Sequence, residues 1–139
     1  MKNFLILFSM FTSFITYSQS IVGEWETYDD ETNEKKGLIE IFKKGDTYFG
    51  KIKDTFVKEN EKLCVPCKGE KHNKPIIGLT IIEDLKKEGD EFTDGTILDP
   101  ENGKEYSCTL SLVSADKLRV RGYIGFSLLG RTQYWLRHK

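Results

Sequence analysis

From Thr47 to Val57 the chain alternates with a period of two. Tyr48, Gly50, Ile52, Asp54 and Phe56 fall on one side, and Phe49, Lys51, Lys53, Thr55 and Val57 on the other. Only a β-strand sends successive side chains to opposite faces. A sheet of such strands has one dry face and one wet face, and the dry face has to be covered. The same grammar recurs along the chain. Short apolar or alternating runs cover Ile21 to Tyr28, Leu38 to Lys43, Thr47 to Val57, Ile76 to Leu85, Phe92 to Leu98, Lys104 to Val113, Lys117 to Ile124 and Arg131 to Arg137. Turn signals separate them: Lys44-Gly45-Asp46, Glu88-Gly89-Asp90, Asp99-Pro100-Glu101-Asn102-Gly103 and Ala115-Asp116. The expected fold class is all-β: a small antiparallel up-and-down barrel of about eight strands, closed so that no edge is left unpaired. Gly50, Gly78, Gly95 and Gly122, in or beside strands, suit the bends of a tightly curved sheet.

The first twenty residues read differently. Lys2 precedes an apolar run from Phe4 to Ile15, and small polar residues follow at Thr16, Ser18 and Ser20. A basic start, a short apolar stretch and a small-residue exit form the pattern of a secretory signal peptide. The run is too short to span a bilayer. Residues 1–20 are therefore expected to be removed on export, and residues 21–139 to form a single β-barrel domain. The expected location is periplasmic or extracellular. Without Lys2 the chain carries 20 basic against 22 acidic residues. That balance argues against a nucleic-acid partner. About 120 residues suffice for one domain with a modest core.

An oxidising compartment bears on the three cysteines. Cys64-Val65-Pro66-Cys67 has the spacing of a redox dithiol, but it lies in a long loop of an all-β chain instead of at a helix start. A local disulfide between Cys64 and Cys67 is the plainer reading. A zinc site using both thiolates and His72 lacks a fourth ligand and the second paired element of structural sites. Cys108 alternates with inward apolar residues and reads as a buried, inert thiol. His72 and His138 read as solvated. With two histidines and no nucleophile elbow, no catalytic constellation emerges, and neither a metal nor a cofactor is expected. The acidic pairs Asp29-Asp30 and Glu83-Asp84 read as wet surface. Arg119, Arg121 and Arg131 either form an anion contact or pair across strands with Glu24, Glu40 or Glu105.

Gly23-x-Trp25, opening the first strand, resembles the signature of lipocalins and the wider calycin barrels. In those barrels the tryptophan plugs one end and a C-terminal arginine packs over it; Arg131 or Arg137 is placed to do so here. A closer resemblance covers nearly the whole mature chain. It is carried by Gly23-x-Trp25, Tyr48-Phe49-Gly50-Lys51-Ile52, Cys64-x-x-Cys67 and Gly95-Thr96-Ile97-Leu98-Asp99-Pro100 with Gly103 and Tyr106. It continues in Leu118-Arg119-Val120-Arg121-Gly122-Tyr123 and Gly130-Arg131-Thr132-Gln133-x-Trp135-x-Arg137. These segments resemble the bacterial exported family known as domain of unknown function 2147. The resemblance implies a small exported barrel and supplies no catalytic residues; Cys108 departs from its usual pattern.

A barrel of about eight strands either fills with side chains or holds one small ligand. The first expectation is a binding module for a small apolar or amphipathic ligand in the cell envelope, lined by Trp25, Tyr48, Ile52, Phe56, Tyr106, Leu110 and Val120. A solid barrel, with its outer face or the Phe126 to Leu129 loop meeting an envelope protein, is the alternative. A thiol-disulfide or metal-binding factor acting through Cys64 and Cys67 is the other.

Overall fold

The computed structural model describes residues 20–56, 62–125 and 129–139. The leader and Val57 lie outside the described residues, as do Phe126, Ser127 and Leu128 of the apolar loop. Eight strands follow in chain order: β1 (Gly23–Tyr28), β2 (Lys35–Lys44), β3 (Thr47–Thr55), β4 (Thr80–Glu88), β5 (Glu91–Leu98), β6 (Glu105–Ser114), β7 (Lys117–Tyr123) and β8 (Gly130–Arg137). Each pairs antiparallel with the next, and β1 pairs with β8 through Trp25↔Arg137 and Glu26↔Leu136, closing the barrel. Closure removes the open edges at which sheets aggregate. Among the described residues the one helical piece is a 3-10 turn at Gly69–Lys71, and no helix is long and apolar enough to cross a membrane.

Two strands depart from the periodic reading, each for a local reason. In β3 the register slips: Ile39 opposes Ile52 but Leu38 opposes Asp54. The extra residue is a bulge, and it inverts the faces beyond it. Thr55 therefore continues the inner face, and Phe56 turns outward. Phe56 is 46% exposed, with the Lys35 ammonium 5.8 Å from its ring centroid. In β4, Ile76 and Ile77 stay in the preceding loop despite their β-branched side chains. That loop crosses the mouth of the barrel and reaches the sheet where the Gly78 N–H donates to the Ile52 carbonyl at 2.7 Å. At its far end β4 runs on through the charged Lys86, Lys87 and Glu88. Asp84 and Asp94, both at φ 60°, mark bulges on neighbouring strands, and register shifts flank Gly50 and Gly95. Such bulges supply the curvature a small barrel needs.

The outer face is a ladder of lysine–carboxylate pairs. Lys53 pairs with Glu24, and Lys51 and Lys53 each stand 3.9 Å from Glu40. Lysines, not arginines, thus take the carboxylates of β1 and β2. Arg121 instead donates to the Thr132 hydroxyl at 3.0 Å, and Arg131 lies on the opposite face of the sheet from Arg119 and Arg121.

One end of the barrel is packed solid. Trp25, Ile41, Leu85, Leu110 and Leu118 are fully buried there, and Tyr48 meets Phe92 edge-on at 4.9 Å between ring centroids. Burying each large side chain contributes about 2 kcal/mol, so this plug anchors the fold. The other end carries the four longer connections, between β1 and β2, β3 and β4, β5 and β6, and β7 and β8.

Candidate functional site

The plug is made from both termini of the barrel. Trp25 is completely buried and donates its Nε1–H to the Ile21 carbonyl at 2.8 Å. The Arg137 guanidinium lies 4.3 Å over the indole ring, within cation–π range. Arg137 also donates to the carbonyls of Ala115 (2.8 Å), Val22 (3.2 Å) and Ser20 (2.9 Å). Gly23 is required beneath it: its φ is +141°, and a Cβ there would come within 2.7 Å of the Arg137 Nη1. Arg137 is thus the arginine that closes the barrel over Trp25. Arg131, at the other end of β8, pairs with Asp30 at the mouth.

Above the plug the barrel is hollow. A cavity of about 1210 Å³ opens at the end carrying the four longer connections. Its wall is mostly apolar, from Ile39, Ile52, Ile97 and Val120, with Trp135 and Tyr106 completing the ring. Every second residue of a strand faces inward, and all eight strands contribute to this wall. Ile52, Tyr106 and Val120, three of the residues expected as lining, stand in it. Trp25, Tyr48 and Leu110 belong to the plug below and do not reach the cavity. Phe56 is outside, because the β3 bulge turned it away.

Polar groups enter this wall along β8. Trp135 Nε1 donates to Gln133 Oε1 at 3.3 Å, and Gln133 Nε2 donates to Asp30 Oδ2 at 3.4 Å. Asp30 also takes Arg131. A chain of polar contacts therefore climbs one wall from floor to mouth. The sequence reads Asp30 as wet surface and assigns Gln133 no place in the lining. The period of two in β8, with Arg131, Gln133, Trp135 and Arg137 on one face, is the signal that could have found Gln133. A second ion pair crosses the mouth, from Lys36 to Glu101 at 2.6 Å. The acidic pairs are structural as well as wet: Asp29 Oδ1 accepts the backbone N–H groups of Glu31 and Thr32, both at 2.9 Å, and Glu83 accepts Lys71 at 2.9 Å.

One side of the mouth is built by the cysteine turn. Cys64 and Cys67 form a disulfide, and both are buried. Val65 and Pro66, between them, line the cavity. His72 is engaged rather than simply solvated: its Nδ1–H donates to the carbonyls of Val65 (2.8 Å) and Cys67 (3.1 Å). Two carbonyls can only accept, so this nitrogen carries the proton. The turn presses on the β5–β6 connection so closely that a Cβ on Gly103, at φ +73°, would lie 2.0 Å from the Pro66 carbonyl oxygen. With both sulfurs in a disulfide, neither is a thiolate ligand, and among the described residues no group of three or more His, Cys, Asp or Glu side chains is placed to hold a metal ion. Cys108 faces inward between Gly95 and Gly122, fully buried, and burial pushes its thiol up to about 12.

Behind the plug, on the outer face, Glu26 gathers Lys35 (2.8 Å), His138 Nδ1 (2.9 Å) and the Tyr28 hydroxyl (2.7 Å). Those hydrogen bonds, Lys35 first, hold its carboxyl down at about 2. His138 is therefore tied into the barrel seam instead of free in solvent.

Residues 23–137 match the model of a family described as an uncharacterized protein conserved in bacteria, domain of unknown function 2147. The chain belongs to this family. No curated protein matches it. Among solved structures, protein HP1028 from the human pathogen Helicobacter pylori, described as belonging to the lipocalin family, is similar with a TM-score of 0.77 at 16% identity. The match covers 88% of this chain and 85% of that one. At that identity the likeness is one of fold: a lipocalin-like barrel, as the Gly-x-Trp opening and the eight alternating runs imply. Lipocalin-like barrels are suited to small ligands.

Proposed function

We propose that this member of the domain of unknown function 2147 family is an exported binding protein that holds one small apolar or amphipathic ligand in the open half of its barrel, in the cell envelope. The observation that carries the reading is the open cavity above a solid plug, with apolar walls and a few polar groups on one side. A concave, mostly apolar site with a few placed hydrogen-bonding groups is what small-molecule binding needs. The basic, apolar, then small-residue N-terminus supports export, and the local disulfide suits an oxidising compartment. The role proposed is binding: among the described lining residues Arg131 and Lys36 are held in ion pairs with Asp30 and Glu101, and the neutral polar groups between them can orient a ligand. The same cavity argues against the solid-barrel alternative.

Native mass spectrometry with lipid extraction, on the mature form purified from a periplasm, tests this. A reproducible extra mass is expected, released on denaturation and reduced in Val120→Trp, which projects an indole into the cavity. A bare polypeptide mass with no uptake of added amphiphiles would overturn the proposal and direct the search to protein partners on the outer face.

A further inference from the structure

We infer that the preferred ligand is a single-tailed amphiphile with an uncharged, hydrogen-bonding head, such as an alcohol, an amide or a glycerol ester. It would enter tail first, and its head would rest against Gln133. The inference rests on the cavity being a ligand site, and three observations carry it.

Two ion pairs already stand at the mouth. Arg131 pairs with Asp30, and Lys36 with Glu101. A carboxylate head would have to draw Arg131 away from Asp30 and then sit beside the carboxylate it had uncovered. An ammonium head on Asp30 would displace Arg131 and stay next to it. Either exchange replaces one ion pair by another and adds a like-charge contact.

The sign of the rim opposes an anion further. Among the described lining residues five carboxylates, from Asp29 to Glu31 and at Asp99 and Glu101, outnumber three cations, Lys36, Lys62 and Arg131. Asp29 and Asp99 keep their charge but are fixed to turn backbone at the rim, with Asp99 Oδ1 accepting the Glu101 N–H at 2.9 Å, so neither folds down into the cavity to meet an ammonium head.

Below the rim the polar capacity is neutral. Gln133 is half-buried in the wall, and its two contacts, at 3.4 and 3.3 Å, are long for hydrogen bonds. An amide offers two N–H donors and two acceptor lone pairs, so Gln133 can both donate to and accept from a head hydroxyl or carbonyl. Tyr106, two strands away in the same wall, adds a second neutral group, a hydroxyl that accepts from Asn102 Nδ2 at 3.4 Å and keeps its own proton to donate. Ile39, Ile52, Ile97 and Val120 then receive the tail.

The test compares glycerol monododecanoate, dodecanoate and dodecylammonium, which share one tail length. Each is titrated below its micellar concentration into the delipidated mature protein, with the Trp135 region reporting through tryptophan fluorescence and calorimetry as the check. The glycerol ester is expected to bind about tenfold tighter than either ion at neutral pH. The gap to dodecanoate should narrow in high salt, because the rim charges face solvent. Gln133→Leu should weaken the ester about tenfold and leave dodecanoate unchanged. Gln133→Glu, which keeps the side-chain shape, should weaken dodecanoate further, so a folding defect in one variant does not decide the result. Dodecanoate or dodecylammonium binding as tightly as the ester would overturn the inference, as would an ester affinity indifferent to both substitutions. Binding by none of the three probes would instead overturn the cavity as a ligand site.

Discussion

Single residues fix the ends of this barrel. Arg137 combines a cation–π stack on Trp25 with three hydrogen bonds to carbonyls from two different segments. Arg137→Ala is expected to destabilise by about 2 kcal/mol, read as a lowered midpoint in urea, whereas Arg131→Ala, at the exposed mouth, should cost under about 0.5 kcal/mol. Glu26 makes a prediction with a definite sign. Its carboxyl is held at about 2, below the ordinary 4.5, so its stabilisation is fully present above about pH 4.5 and is lost as pH falls through about 2. Glu26→Gln should cost about 1 kcal/mol at neutral pH, a modest figure because Lys35 is half exposed. Unfolding curves of the two proteins should converge as pH approaches about 2. Cys108 is the opposite case, a thiol raised to about 12 by burial. It should resist alkylation at mildly alkaline pH until denaturant is added; prompt labelling of the native protein would show the plug to be looser than its packing implies. Of these three, the sequence made Cys108 legible as buried and offered two arginines for Trp25. It gave no sign of the Glu26 cluster, which draws its partners from both ends of the chain.

Elements differ in how far their own sequence governs them. Strands β2, β5, β6, β7 and β8 fall close to the alternating runs that predict them, because the period of two is written locally. The end of β3 was not legible: the slip that sends Phe56 outward and keeps Thr55 inward is set by pairing with β2, not by anything within Thr47–Thr55. Likewise Ile76 and Ile77 have strand propensity but serve a connection, since the β3–β4 crossing needs them before the sheet is reached. That connection is clamped from several sides, by the disulfide, by His72 and by its contact with Gly103. Cys64→Ala/Cys67→Ala opens a ring of only four residues and should cost about 2 kcal/mol by loop entropy. Hydrogen exchange should rise in residues 62–79 while the β5–β8 amides stay protected. Gly103→Ala should be worse than its size suggests, by roughly 2 kcal/mol, because it adds strain at positive φ to a backbone clash with Pro66.

The whole molecule divides into a solid half and a hollow half, and the two have different purposes. The plug holds the sheet closed; the hollow half forgoes burial that side chains could have supplied. Adding apolar bulk to it should therefore stabilise the protein while narrowing the space for a ligand. Val120→Phe is expected to raise the urea midpoint by an amount equivalent to about 0.5–1 kcal/mol and to weaken amphiphile uptake. A destabilised Val120→Phe would mean that the walls collapse on the empty space in solution. The closing role of Trp25 was implied by the calycin resemblance; the sequence by itself determined the strand count, the antiparallel order and the position of the cysteine turn. Each of these depends on local periodicity, on turn chemistry or on residues close in the chain. Tertiary structure alone decided which of Trp25, Tyr48, Ile52, Phe56, Tyr106, Leu110 and Val120 face open space. That division depends on a bulge in one strand, on how far the plug extends, and on side chains from all eight strands meeting at one level of the barrel. Those meetings join residues as distant as Asp30 and Gln133, and no pattern along the chain records them.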